Sequence, residues 1–166
     1  VEKMKFAHLQ ALKQKAYQAF LENQVFENFS KDPAAFDSLS LAFIGDAYYS
    51  LCMRKKLITL GIPHVQVTHL LAAEFVSAKC QSFVYRHMQT MLTEMEKKVC
   101  LRARNAHSQV PKSASVQEYK ESTALEALLG YVIIAQQEKR KEELMKQIML
   151  YVQQYCEMIH GRSRHE

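Results

Sequence analysis

Glycine and proline are scarce in this 166-residue chain, four and three in all, and tryptophan is absent. A β-rich fold of this length needs many turn residues, so the shortage excludes one and points to helices joined by short connections. No stretch is long and apolar enough to span a bilayer, and the N-terminus lacks the charged, apolar, small-residue order of a secretion signal. The four cysteines (Cys52, Cys80, Cys100, Cys156) include no C-x-x-C pair, and the seven histidines no H-x-x-x-H pair. These absences argue against a zinc site and a disulfide framework, and for reduced thiols in a cytoplasm, with no membrane association.

Acid is missing locally. Between Lys97 and Gln117 there are five basic residues (Lys97, Lys98, Arg102, Arg104, Lys112) and no Asp or Glu. Between Ala47 and Thr93 the only acid is Glu74, against Arg54, Lys55, Lys56, Lys79 and Arg86. The net charge of +5 is therefore concentrated, as a face that binds a polyanion requires.

What is present is helical periodicity. Phe6, Leu9, Leu12, Ala16 and Phe20 make residues 4–30 an amphipathic helix, whole or broken, within an extension over 1–37. Asp37 or Ser38 caps a helix that runs to about Leu60 and is ended by Gly61. A further helix covers Val67–Met91, kinked or split near Ser77. Thr93-x-x-Glu96 and Ser115-x-x-Glu118 are capping-box patterns that open helices to Arg104 and to about Ala135. A last helix runs from Glu138 to His160, and residues 161–166 are expected to fray. The expected fold is all-α: six or seven helices in one bundle, with a main domain over residues 38–160.

Two acids stand where that pattern should be apolar. Asp46 sits inside Leu41-Ala-Phe-Ile-Gly-Asp-Ala-Tyr-Tyr49, and Glu126 inside Ala124-Leu-Glu-Ala-Leu-Leu-Gly-Tyr-Val132. Small residues flank both: Ala42, Gly45 and Ala47 in the first run, Thr123, Ala127 and Gly130 in the second. A glycine inside a helix costs about 1 kcal/mol against alanine, which close approach of two helices would offset. If the helices cross there, the carboxylates face each other and need a proton or a cation between them. An all-oxygen pair suits Mg²⁺, which assists phosphodiester hydrolysis. Local physics leaves a second reading open, in which each acid pairs with a Lys or Arg or points to solvent.

At these residues the chain resembles the ribonuclease III catalytic domain, and within that family the Mini-ribonuclease III type. The two acidic runs resemble the family's two signature helices. Val76-Ser-Ala-Lys-Cys-Gln81 and Arg102-Ala-Arg-Asn-Ala-His107 resemble the Mini-III segments between them. The four blocks occur in order across roughly residues 38–155. The resemblance implies an all-α endoribonuclease that dimerises and cleaves double-stranded RNA with Mg²⁺, or Mn²⁺ in its place. It implies work on ribosomal RNA precursors at large-subunit ends, with a ribosomal-protein helper in some members. On this reading there is no room for a separate double-stranded-RNA-binding domain.

Carried over by position, Asp46 and Glu126 are the catalytic and metal-binding acids. Two further acids of the larger enzymes are replaced here by Ala42 and Thr123, so waters, Thr123 indirectly, or RNA phosphates complete the coordination. Lys79, Arg102, Arg104, Asn105 and Lys112 are the expected RNA contacts. Ala103, His107 and Ser50 depart from the usual residues at their positions. The rival reading is a non-catalytic ribonuclease III-like protein that binds RNA or a ribosome; retention of both acids favours the enzyme.

Overall fold

The computed structural model describes residues 6–22, 31–106, 110, 112 and 114–163. The chain forms two compact units, residues 1–30 and 31–166, each taken by itself. The first contains α1, Phe6–Leu21, an amphipathic helix; residues 23–30 lie outside the described residues. Residues 31–37, assigned from sequence to the extension, fall in the second unit, which opens with a 3₁₀ turn at Pro33–Ala35 capped by Asp32.

Six helices follow: α2 (Ser38–Ile58), α3 (Val65–Phe75), α4 (Ala78–Met88), α5 (Glu94–Arg104), α6 (Val116–Ile134) and α7 (Glu138–Ser163). There is no strand among the described residues. The boundaries follow local chemistry. The Asp37 carboxylate accepts the Ser40 N–H at 3.0 Å and starts α2. Gly61, at φ +66°, lies beyond the end of α2 in a left-handed conformation that other residues resist. Ser77 adopts extended backbone and its hydroxyl accepts the Cys80 N–H, which splits α3 from α4. Both capping boxes form in both directions, Thr93 with Glu96 and Ser115 with Glu118. The last helix runs past His160 to Ser163, while residues 164–166 lie outside the described residues.

Packing centres on α6. Ala124, Leu125, Ala127, Leu128, Leu129 and Val132 are all fully buried, as expected of a helix surrounded by others. Helices α2, α4, α5 and α7 all pack against it, α2 most extensively. On α2, Leu41, Gly45, Tyr49, Met53 and Leu57 recur every fourth residue and form the buried stripe. Tyr49 donates its hydroxyl to the Phe75 carbonyl at 2.9 Å, joining α2 to the end of α3.

Two buried acids tie the outer helices to this core. Glu121 accepts from Ser82 at 2.5 Å and from Arg86 at 2.7 Å, linking α6 to α4. Glu96 accepts two bonds from Arg140, at 2.7 and 2.9 Å, linking α5 to α7. Burial alone would raise both carboxyls, but their donors hold them below the ordinary carboxylate range.

The α2–α6 contact is backbone on backbone. A Cβ added at Gly45 would lie 1.7 Å from the Glu126 carbonyl oxygen, and one at Gly130 would lie 1.9 Å from that of Leu41. Pairing 41 with 130 and 45 with 126 makes the helices antiparallel and keeps them touching over about one turn, roughly 6 Å. No side chain fits at either glycine. Gly130→Ala should therefore destabilise the protein by about 3 kcal/mol or more, measured as a shift in urea midpoint, because the obstructing atom is backbone. A loss below about 1 kcal/mol would show that the helices separate easily.

Candidate active site

The glycine contact decides where the two anomalous acids lie. Asp46 follows Gly45 directly, and Gly45 touches the backbone of Glu126 itself, so the acids share the crossing. Asp46 is exposed and accepts a long hydrogen bond from the Ser50 hydroxyl, 3.5 Å. Glu126 is half-buried, and its carboxyl is pushed up to about 8, first by burial and next by the charge on Asp46. A side-chain hydrogen bond from Gln81 works the other way. Glu126 thus differs from Glu96 and Glu121, whose buried charges each meet an arginine.

A divalent cation fits this pair. Two oxygen-bearing groups that repel one another in its absence are what such an ion neutralises. Among the described residues no group of three or more His, Cys, Asp or Glu side chains gathers to hold a metal. Protein ligation by this pair alone would be sparse, with water filling the remaining positions. Ala42 is buried, and the Thr123 hydroxyl donates back along its own helix to the Tyr119 carbonyl at 2.9 Å.

The expected RNA contacts divide. Lys79 is exposed in the first turn of α4, two residues before the buried Gln81. A lysine at a helix N-terminus is disfavoured by the helix dipole, so an anion there gains from both. Lys112 is exposed in the segment before α6, and Asn105 is the exposed C-cap of α5. Arg104 has its Nε buried without a hydrogen-bond partner, and its side chain hydrogen-bonds Tyr85. His107 lies outside the described residues.

Arg102 is committed elsewhere. Its Nε donates to the Ser38 hydroxyl at 3.0 Å, Nη1 to the Ala34 carbonyl at 2.5 Å and Nη2 to the Phe36 carbonyl at 2.9 Å. The guanidinium clamps the turn before α2 and the first residue of that helix to the end of α5. Asp46 lies eight residues further along α2, roughly 12 Å at 1.5 Å per residue. Arg102 thus sets the start of the helix that carries Asp46.

Sequence reasoning did not single out Gln81, although its block was quoted; a polar residue on the apolar face of α4 was the available signal. A largely apolar groove of about 550 Å³, lined by Met53, Leu57, Phe75, Met149 and Val152 among others, contains neither acid. Asp46 is exposed instead, and Glu126 is half-buried.

Comparison with known proteins agrees with this geometry. The Ribonuclease III domain family model matches residues 39–137, from the start of α2 to just past α6. Mini-ribonuclease 3 of Brevibacillus brevis is 38% identical over 128 residues, covering 76% of this chain and 96% of that protein. Mini-ribonuclease 3 of Enterococcus faecalis is 39% identical over 118 residues, covering 69% and 89%. A crystal structure of a Fusobacterium nucleatum protein superposes with a TM-score of 0.65 at 34% identity, covering 70% of this chain and 96% of that one. With the two signature helices in backbone contact and both acids at their crossing, the chain belongs to the ribonuclease III family, in its Mini-ribonuclease 3 group, and is an endoribonuclease.

Proposed function

We infer that this endoribonuclease cleaves double-stranded RNA by Mg²⁺-assisted phosphodiester hydrolysis, with Asp46 and Glu126 as its catalytic acids. The observation that carries the reading is the half-buried Glu126, raised to about 8 beside Asp46 at a crossing built from two glycines. When bound, the divalent cation supplies positive charge on the phosphodiester and lowers the cost of forming the hydrolytic nucleophile. The chain's own residues hold that charge in place. Gly45 and Gly130 fix the spacing of the helices, Asp46 faces solvent where a phosphate arrives, and Glu126 anchors from behind. Lys79, Arg104, Asn105 and Lys112 contact phosphates and read A-form shape rather than base identity, since side chains do not enter the narrow RNA major groove.

The protein acts as a homodimer. Phe43 (79% exposed), Leu51 (55%) and Ile58 (71%) form an apolar stripe along one side of α2, and burial against a second copy covers it. A two-fold axis gives each strand of a duplex its own acid pair. The substrate is a ribosomal RNA precursor at its large-subunit ends, the role attached to the Mini-III type, with a ribosomal-protein helper in some cases. Four free thiols fit the reducing cytoplasm where such RNA is made.

Asp46→Asn should abolish cleavage of a structured duplex in Mg²⁺ while leaving the melting temperature and duplex affinity within about twofold; undiminished turnover would sink the assignment. For the basic residues, the dependence of affinity on salt is the measurement. Lys79→Ala and Lys112→Ala should each reduce the log–log salt slope by about 1. Arg102→Ala should leave the slope unchanged and instead cost about 1–3 kcal/mol of stability, because its three acceptors lose their donor.

The raised Glu126 carboxyl also makes stability depend on pH. Without a cation the folded state holds this proton to about pH 8, whereas the ordinary value is 4.5. In that window the folded state binds more protons than the unfolded one, so stability is full below it and declines as pH rises through it. The slope is at most about 1.4 kcal/mol per pH unit. Urea titrations of metal-free protein from pH 5 to 8.5 should show this decline, Glu126→Gln should flatten it, and Mg²⁺ should offset it above pH 7. A flat wild-type profile would mean that the Glu126 carboxyl is not raised in the folded state.

A further inference from the structure

Gln81 is 1% exposed, on the face of α4 that packs against α6, and polar side chains so deeply buried require partners. Its Nε2 donates to the Val76 carbonyl at 3.1 Å. A carbonyl only accepts, so this bond fixes which end of the amide is nitrogen and which is oxygen. The same side chain lies near enough to Glu126 to act on its carboxyl, and the amide nitrogen has a second hydrogen for a carboxylate. The amide oxygen is left over. Oε1 is buried and has no hydrogen-bond partner, one of two such side-chain atoms among the described residues.

An acceptor buried without a donor is costly, and leucine or methionine would fill the same volume without that cost. The amide oxygen therefore calls for a donor that is absent from the protein alone, on a side chain that reaches toward Glu126. Position and chemistry both limit the missing donor. It must reach a site beside Glu126, and it must carry a hydrogen, as water in the hydration shell of a divalent cation does. Side chains just outside a metal's ligands commonly orient them in this way, and their removal typically costs roughly 10- to 100-fold in metal affinity or activity.

We propose that Gln81 is a positioning residue of the cation site. Anchored by the Val76 carbonyl, its amide N–H holds the Glu126 carboxylate toward Asp46, and its Oε1 accepts from a water of the cation's hydration shell. This rests on the reading of Asp46 and Glu126 as the cation's ligands, and it deepens that reading. The Val76–Gln81 block then serves the site twice. Lys79 presents charge to the phosphate, while Gln81, two residues on, faces the interior and steadies the metal ligand.

The test measures Mn²⁺ binding to the full-length, metal-free protein by titration calorimetry and by loss of the free-ion electron paramagnetic resonance signal, alongside the Mg²⁺ concentration giving half-maximal cleavage. Wild type, Glu126→Gln, Gln81→Met and Gln81→Glu are compared, each checked for folding by circular dichroism. Gln81→Met should weaken Mn²⁺ about 10-fold or more and raise the half-maximal Mg²⁺ concentration in step. Gln81→Glu, of equal length and with an added carboxylate, should bind Mn²⁺ at least 10-fold more tightly than Gln81→Met. If Gln81→Met melts lower but binds Mn²⁺ as wild type does, the residue is merely structural and the proposal fails. If wild type binds no Mn²⁺, or Glu126→Gln binds it equally well, the reading of the acid pair fails as well. Should Gln81→Met not fold, Gln81→Asn, which keeps the amide but draws it back by one methylene, takes its place: Mn²⁺ binding within twofold of wild type overturns the proposal.

Discussion

Everything in the catalytic unit depends on two helices touching through their backbones. Where α2 crosses α6, Gly45 meets the carbonyl of Glu126 and Gly130 meets that of Leu41, each closer than any Cβ permits. A contact of this kind fixes distance and register together, because backbone has no rotamers with which to adapt. The acids are brought together as a consequence: one follows the first glycine, the other is the residue that glycine touches. The rest of the bundle preserves the arrangement. Helix α6 is buried on nearly every side, so it cannot roll without disturbing four neighbours.

The crossing also sets the electrostatics. Three glutamates of this unit are largely withdrawn from water, and they separate by what meets them. Glu96 and Glu121 each face an arginine with further hydrogen bonds, and their carboxyls are held low. Glu126 meets the charge of Asp46 and one amide, and it is pushed up. Paired acids of the first kind hold a fold together. An acid of the second kind is held by the fold in a place that does not suit it, and such groups gather at sites where chemistry is done. The distinction lies in the partner rather than in the depth of burial.

Much of this was legible in the chain. Caps, capping boxes and the glycine that ends α2 act within a few residues, so sequence spacing suffices to find them. Asp46 and Glu126 were legible as misplacements, and the glycines beside them as a cost needing compensation. Partnerships across long separations were not. Arg102 lies in a block that resembles a phosphate-binding segment, and only the fold brings it onto Ala34, Phe36 and Ser38, more than 60 residues earlier. Glu96 was read as half of a capping box, which it is, yet its buried carboxylate also binds Arg140 from α7. Gln81 escaped notice because an uncharged polar residue on an apolar helix face is a weak anomaly until its neighbours are known.

One turn of α2 carries several demands at once, and its geometry shows how they coexist. Successive residues step by about 100° around a helix. Taking Phe43 as the origin, Gly45 lies about 200° round and Asp46 about 300°. Gly45 is pressed into α6, Phe43 projects from the surface with the apolar stripe, and Asp46 stands exposed between them. If that stripe joins two copies, each dimer interface borders an acid pair, separated from it by about 60° of one helix. The spacing between the two sites of a dimer is then set by the same rigid helix that sets the spacing within each site. A duplex is too wide and stiff to enter a pocket such as the apolar groove beside α7. In such a dimer the exposed Asp46 of each copy would be open to one strand.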